Sequence, residues 1–326
     1  MSQPLDQIVA AIQNANRILV ATHIHPDGDA LGSQLAMGEI LSSMGKQVYL
    51  YSESEISHLY DFLPGCEKLK TGLPDLSQFD CVLALDCGDC FRLGLKQGEF
   101  LSTGVVVVID HHAGHKEFGT LRWVDPHRGS TGEMVYDLAC ALGVDLSYEA
   151  AYCLYTAIVS DTGSFKYSST TAETFRVAGA LLGKGVKPSD VAGKLYDNFS
   201  ANRLRLMKDV LETLTLSDDE RIAMISVTQA MLTETGTEAA DTETFINYPR
   251  SLQTVKVAAF VKEAPAGMIS VSLRSKSGYD VAQVAAKFGG GGHRNAAGCK
   301  WPDATIESVW AELLPELKAV VETGKG

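Results

Sequence analysis

Arg17-Ile-Leu-Val-Ala-Thr22-His23-Ile-His25-Pro26-Asp27-Gly28-Asp29-Ala30-Leu31-Gly32-Ser33 is the stretch on which the reading of the fold turns. It opens as a short apolar run of strand length. It continues as a turn that gathers His23, Asp27 and Asp29 around Pro26 and Gly28, and then enters a helical pattern over 33–43. Strand, polar turn and helix in succession form the start of a βα unit. Similar apolar runs recur at 47–51, 81–85 and 105–109, with helix-period segments at 132–142 and 150–160 and an amphipathic stretch at 5–14. This alternation predicts an α/β fold, a mostly parallel sheet with helices on both faces. Ligands of such sheets bind beyond the carboxyl ends of the strands.

Further along, a polar and mainly helical stretch at 187–216 precedes strand patterns at 221–227, 254–261 and 268–274 and helical patterns at 281–288 and 306–321. The expected organisation is a catalytic domain over 1–190, a helical connector over 191–216 and a smaller α+β domain over 217–326. The glycine run 289–292 reads as a shaped loop, because His293 and Ala296-Ala297-Gly298 follow it.

Clusters of Asp and His fall where the sheet rule places a site. After the first come Asp86, ending Cys81-Val-Leu-Ala-Leu85, and Asp110-His111-His112, following Val105-Val-Val-Val-Ile109. Asp161-Thr162-Gly163 closes the helix pattern 150–160. A carboxylate ending a buried strand is costly unless it is paired or bound to a cation. His23, Asp27, Asp29, Asp86, His111 and Asp161 form an oxygen-rich set suited to two divalent ions, manganese or magnesium before zinc. Two such ions ~3.5–4 Å apart stabilise the attacking and leaving oxygens of a phosphoryl displacement. Cys87-Gly-Asp-Cys90 reads as a chance C-x-x-C, since no second pair exists. His25 and His115 read as loop residues, and Ser33 as the cap of the helix after it.

In this order the clusters resemble motifs I to IV of the DHH phosphoesterase family, Asp110-His111-His112 being the name-giving triplet. Ser272-Leu-Arg274-Ser275 and Gly289-Gly290-Gly291-Gly292-His293-Arg-Asn-Ala-Ala-Gly298 resemble the signature of the DHH-associated C-terminal domain. Asp27-Gly-Asp-Ala-Leu-Gly-Ser33 and Asp161-Thr-Gly-Ser-Phe-Lys-Tyr-Ser168 resemble the branch of nanoRNases and pAp phosphatases. The resemblance implies one manganese ion on His23, Asp27 and Asp86 and another on Asp29, Asp86, His111 and Asp161, with Mg²⁺ or Co²⁺ as substitutes. Asp86 would bridge the ions, His112 would meet the phosphate, and Asp110 would orient the histidines. Arg274, Ser275, Gly290, Gly291, Gly292 and His293 would bind substrate from the second domain, with the active site in the interdomain cleft. Short RNA oligonucleotides or 3′-phosphoadenosine 5′-phosphate are the substrates this implies, cut by a hydroxide held between the ions. A homodimer is compatible with it.

Composition narrows the field in the same direction. At 326 residues, with 45% hydrophobic and 21% charged side chains, the chain fits two globular domains. Its net charge of −12 argues against long duplex nucleic acid, whose binding rests on Lys and Arg. Residues 1–190 hold 13 Lys+Arg against 23 Asp+Glu, and residues 191–326 hold 15 against 17. The acidity therefore lies with the proposed ligands. No apolar run is long enough for a membrane helix, and the N-terminus lacks the layout of a signal peptide. With seven cysteines, an odd number, a reducing cytoplasmic setting is expected.

Other readings remain. A family II inorganic pyrophosphatase would share the first motifs but lack the glycine–histidine signature. A cyclic or linear dinucleotide phosphodiesterase would share both domains. A catalytically dead nucleotide sensor would have lost one of the six ligands, and none is lost.

Overall fold

The computed structural model describes residues 3–94, 97–276 and 278–324, with the backbone alone at Gln3, Gln97 and His293. The chain divides into two compact units, Met1–Asn198 and Phe199–Gly326. The first runs α1 (Gln3–Asn14), β1 (Arg17–Ala21), α2 (Gly28–Ser43), β2 (Gln47–Tyr51), β3 (Cys81–Leu85), α3 (Gln97–Leu101) and β4 (Val106–Asp110). It continues through β5 (Leu121–Val124), α4 (Thr131–Ala141), α5 (Tyr148–Asp161), α6 (Ala172–Leu182) and α7 (Pro188–Tyr196).

The strands of the first unit are all parallel, in the order β2-β1-β3-β4-β5. From β1 the chain passes to β2 on one side and later to β3 on the other. The crevice beyond the ends of β1 and β3 is therefore a switch point, the place where doubly wound sheets hold ligands. Every residue of β3 and β4 is buried, because both faces of the sheet are covered. The two faces are covered differently. Ile18, Val20, Leu83, Leu85, Val107 and Ile109 pack against α1, α2, α4 and α5. The opposite side chains, such as Leu19, Val82 and Val108, meet Leu76, Phe79, Phe100 and Phe118. Those come from short 3₁₀ turns, the five-residue α3 and loops. Long helices thus lie on one face rather than on both. The edge strand β5, Leu-Arg-Trp-Val, escaped the sequence reading because its half-exposed side chains show neither an apolar run nor alternation.

Close approach of α2 and α5 sets the distance between the ligands each carries. A Cβ on Gly32 would lie 2.4 Å from the Cys153 carbonyl oxygen. Gly32→Ala is accordingly expected to lower stability by roughly 1–3 kcal/mol, the range for overpacking. Urea denaturation measures this, and an unchanged midpoint at unchanged slope would mean that the helices part without cost.

The second unit comprises α8 (Ala201–Glu212), β6 (Thr215–Leu216), β7 (Ile222–Val227), α9 (Gln229–Thr235), α10 (Asn247–Ser251), β8 (Val257–Ala264) and β9 (Met268–Ser275). It ends with α11 (Ala282–Lys287), β10 (Gly291–His293), β11 (Ala296–Trp301) and α12 (Ile306–Thr323). Its sheet order is β10-β11-β9-β8-β7-β6, antiparallel except between β7 and β8. Helices α11 and α12 seal one face, where Ile269, Val271 and Leu273 meet Val284, Leu313 and Leu317. The stretch 191–216 does not stand apart as a connector. Helix α8 belongs to this unit, with Leu206 and Val210 packed among Ala223, Ile225 and Phe260.

Candidate metal centre

All six expected ligands sit at the carboxyl ends of β1, β3 and β4 or at the ends of α2 and α5. His23 follows β1, and Asp27 caps α2 by accepting from the amides of Asp29 and Ala30. Asp86 follows β3 with φ 55°, the left-handed region that side chains other than glycine rarely enter. Strain of this kind persists only where the surroundings hold it, here through the Asp86 amide on Ile109 O at 3.0 Å. His111 follows β4, and Asp161 is the last residue of α5.

The side chains converge. His111 Nε2 lies 3.6 Å from Asp29 Oδ2, 3.5 Å from Asp86 Oδ1 and 3.5 Å from Asp161 Oδ2, and His23 Nε2 lies 3.5 Å from Asp86 Oδ2. These spacings exceed ordinary charge-assisted hydrogen bonds of ~2.7–2.9 Å. They match donor atoms around a cation, since ligands at ~2.1 Å stand roughly 3.0–3.4 Å from one another. Three sets have ligand atoms within 4.8 Å of one another: His23, Asp27 and Asp86; Asp29, His111 and Asp161; and Asp86, His111 and His112. The donor set thus fits divalent ions, with Asp86 common to two sets.

Hydrogen bonds on the far ring nitrogens aim the imidazoles. His111 Nδ1 is 3.2 Å from Arg128 O, so donation there leaves Nε2 facing the carboxylates. His23 Nδ1 lies 2.9 Å from Ile24 O and 3.0 Å from Arg92 Nη2, and donation to Ile24 O likewise frees Nε2. The carboxylates are held as firmly. Asp29 accepts from the Thr131 amide at 2.7 Å, the Gly132 amide at 2.9 Å and Ser33 Oγ at 3.1 Å, while Thr131 Oγ1 donates to Asp86 at 3.0 Å. The N-terminus of α4 therefore clamps Asp29 through amides that helices leave unpaired and Asp86 through the Thr131 hydroxyl. Ser33 serves Asp29 and does not cap α2, a role taken by Asp27.

Charge is the central problem of this crevice. Burial, with Asp86 beside it, pushes the Asp29 carboxyl well above its usual range. Burial also lifts Asp161, to about 6. For Asp86 burial acts in the same direction, but the imidazoles of His111 and His23 outweigh it and hold the group well below the usual carboxylate range. For His111 burial favours the neutral ring, yet Asp86, Asp161 and Asp29 overcome it and raise its pKa well above the usual value. Protein groups alone balance the acids only by protonating some of them, which bound cations make unnecessary.

Behind the centre stands Asp110, fully buried, with Oδ1 2.7 Å from His112 Nδ1 and Oδ2 2.7 Å from His115 Nδ1. Burial acts to raise its pKa, and the two histidines outweigh this and hold it at about 2. His112 is thereby turned with Nε2 away from Asp110. His115 lies in the loop after β4, as its sequence reading had it, and its largely buried side chain is a partner of Asp110, stacked on Phe118 at 5.4 Å. Its spacing of five residues from Asp110 was the only sequence signal. Thr131, Gly132 and Arg92 carried none, because they meet Asp29 and His23 across 102, 103 and 69 residues of chain.

In the second unit, Arg274 lies on β9 with a guanidinium hydrogen on Leu273 O at 3.0 Å. Ser275 is buried. Its Oγ donates to Tyr279 O at 2.7 Å and accepts from Asn295 Nδ2 at 2.8 Å, so it ties a loop and does not face a ligand. Residues 291–293 are a strand, not a loop, paired with β11. Gly290 and Gly292 are required by that hairpin, since a Cβ would come 2.1 Å from Gly298 O and 2.4 Å from Ala296 O respectively, whereas Gly291 opens onto free space. The side chain of His293 lies outside the described residues.

Fold and donor set define a class: α/β proteins with a divalent-cation centre at the switch point of a parallel sheet, followed by a second unit built on a mixed sheet. Comparison with known proteins resolves the class further. Residues 17–158 match the DHH family, N-terminal domain, and residues 223–323 match the DHHA1 domain. The bifunctional oligoribonuclease and PAP phosphatase NrnA of Thermus thermophilus is 33% identical over 301 residues, 92% of this chain and 89% of that protein. Its namesake from Bacillus subtilis is 26% identical, over 91% of this chain and 94% of that protein. An exopolyphosphatase-related protein from Bacteroides fragilis has the same fold, with a TM-score of 0.90 and 30% identity over 99% of this chain and 100% of that one. The chain belongs to the DHH family and is a phosphoesterase. Among the described residues no helix is long and apolar enough to cross a membrane.

Proposed function

We propose that this protein hydrolyses short RNA oligonucleotides and 3′-phosphoadenosine 5′-phosphate with two manganese ions held by His23, Asp27, Asp29, Asp86, His111 and Asp161. The observation that carries this reading is the convergence of these six side chains in a chain 33% identical, along nearly its whole length, to an oligoribonuclease and PAP phosphatase. Manganese is favoured because oxygen donors dominate the set and no thiolate joins it. When bound, the ions polarise a phosphoryl oxygen and supply a nucleophile at neutral pH. The residues do the rest. His112, steadied by Asp110, offers Nε2 to the charge that develops on phosphorus oxygens. The α4 amides of Thr131 and Gly132 keep Asp29 from turning away, and the Thr131 hydroxyl does the same for Asp86. Arg274 of the second unit, with the His293 region, holds a part of the substrate that is not cut. RNA substrates and seven unpaired cysteines suit work in the cytoplasm.

Chelation followed by metal addition tests the reading directly. Protein stripped with EDTA should lose turnover of RNA dinucleotides and 3′-phosphoadenosine 5′-phosphate, and Mn²⁺ should restore more of it than Mg²⁺. Cyclic dinucleotides and pyrophosphate assayed alongside should turn over more slowly. Undiminished activity after exhaustive chelation would refute the metal mechanism, and a clear preference for pyrophosphate or cyclic dinucleotides would refute the substrate.

A further inference from the structure

The polarity of His115 is costly where it stands. Its side chain is 6% exposed, and its ring stacks on Phe118 with 20° between the planes. Nε2 is buried and has no hydrogen-bond partner among the described residues. A side chain that only filled space beside Phe118 would be apolar, because a buried ring nitrogen without a partner costs free energy. The other nitrogen accounts for the imidazole. Nδ1 lies 2.7 Å from Asp110 Oδ2, a bond that a leucine of similar volume could not make.

Asp110 is the group that needs this second partner. Its Oδ1 lies 2.7 Å from His112 Nδ1, and a carboxylate held through one oxygen can still turn about its Cβ–Cγ bond, a torsion with only broad, two-fold preferences. His115 on Oδ2 fixes the plane. An ionised carboxylate only accepts, so both Nδ1 atoms donate to it, and neither ring can turn without giving up a charge-assisted bond. The loop that carries His115 is held in its own right. The His115 amide donates to His112 O at 3.3 Å, the Lys116 amide to Gly88 O at 2.7 Å and Lys116 Nζ to Asp89 Oδ2 at 2.7 Å. Gly88 lies against the catalytic ring, since a Cβ there would stand 3.1 Å from His112 Cβ. Contact thus runs from Phe118 in the core through His115 and Asp110 to His112, and among the described residues His115 bonds no proposed metal ligand.

We propose that His115 is a positioning residue for the reaction: by fixing the plane of the Asp110 carboxylate, it holds the His112 ring in the orientation that meets the phosphate. The proposal rests on the reading of His112 as the group that faces a phosphoryl oxygen, and it adds a residue that touches neither metal nor substrate. A merely structural histidine behaves differently. Its loss lowers stability and rate together, and does so whether or not His112 is present. A residue that acts only through His112 falls silent once His112 is gone.

Single-turnover rates of full-length protein on an RNA dinucleotide and on bis(p-nitrophenyl) phosphate, measured together with metal content, separate the two. His115→Leu should lose about 10–100-fold in rate, the scale of a slightly misplaced catalytic group, at unchanged metal content. Substrate affinity should stay within about threefold, because the interaction lost belongs to the transition state. His115→Asn carries an amide that reaches the place of Nδ1 and should recover most of the rate. His115→Gln places its amide nearer Nε2 and should not. In a His112→Ala background, His115→Leu should change the remaining rate by less than about twofold. A His115→Leu protein at the wild-type rate, or one whose cost is the same with and without His112, overturns the proposal. Should the leucine variant fail to fold, the amide pair decides: faster turnover by Asn than by Gln supports positioning, and equal rates overturn it. Failure of the function reading is distinguishable. Cleavage of bis(p-nitrophenyl) phosphate but of neither RNA dinucleotide nor 3′-phosphoadenosine 5′-phosphate removes the proposed substrates, while the same variants on the chromogenic diester still decide for or against His115. A His112→Ala protein that loses metal in step with rate refutes the reading of His112, whereas missing coupling at intact metal content refutes His115 alone.

Discussion

Asp86→Ala is expected to end turnover, with a loss of more than about 10³-fold and a larger effect than any other single ligand change. A carboxylate shared by two cation sets loses both at once, and with them the positioning of nucleophile and leaving oxygen. The geometry explains why neighbours cannot compensate. Asp86 has an imidazole near each oxygen, His111 at 3.5 Å from Oδ1 and His23 at 3.5 Å from Oδ2. Its left-handed φ of 55° turns the end of β3 sharply, and alanine fits that conformation worse than aspartate does. Asn provides the control, because Asp86→Asn preserves shape and the Thr131 contact while removing the charge. Both variants should show reduced metal content by elemental analysis. A folded Asp86→Ala protein that binds two metals and turns over at the wild-type rate would refute the bridging role.

His112→Ala should cost roughly 10²–10³-fold in rate, the scale of one lost stabilising donor. Unlike the Asp86 variants, it should keep most of its metal. Burial would lower the pKa of this ring, but its Nδ1 bond to Asp110 and the charges of Asp86 and Asp110 together outweigh that, so His112 stays more basic than an isolated histidine. Such a ring is ready to donate from Nε2 to a phosphoryl oxygen. Single-turnover rates measured together with metal content separate the two roles. Loss of metal in proportion to rate would make His112 a ligand instead, the arrangement that its proximity to Asp86 and His111 also permits.

The chain by itself determined that a candidate metal centre would lie at the ends of parallel strands. Three of the apolar runs of strand length lead into His23, Asp86 and His111, and burying both faces of a sheet leaves the strand ends as the place where Asp and His can gather. That signal is local, spanning a run and the residue after it, and so it is legible without a structure. The tertiary structure alone decided what holds the ligands still. Thr131 meets Asp29 across 102 residues and Asp86 across 45, distances over which no periodicity links donor to acceptor. The same holds for Ser33, which serves Asp29 where local pattern suggested a helix cap, and for His115, whose burial against Phe118 makes it a partner of Asp110. Strand β5 and the glycine hairpin at 291–298 became strands only through their neighbours' hydrogen bonds.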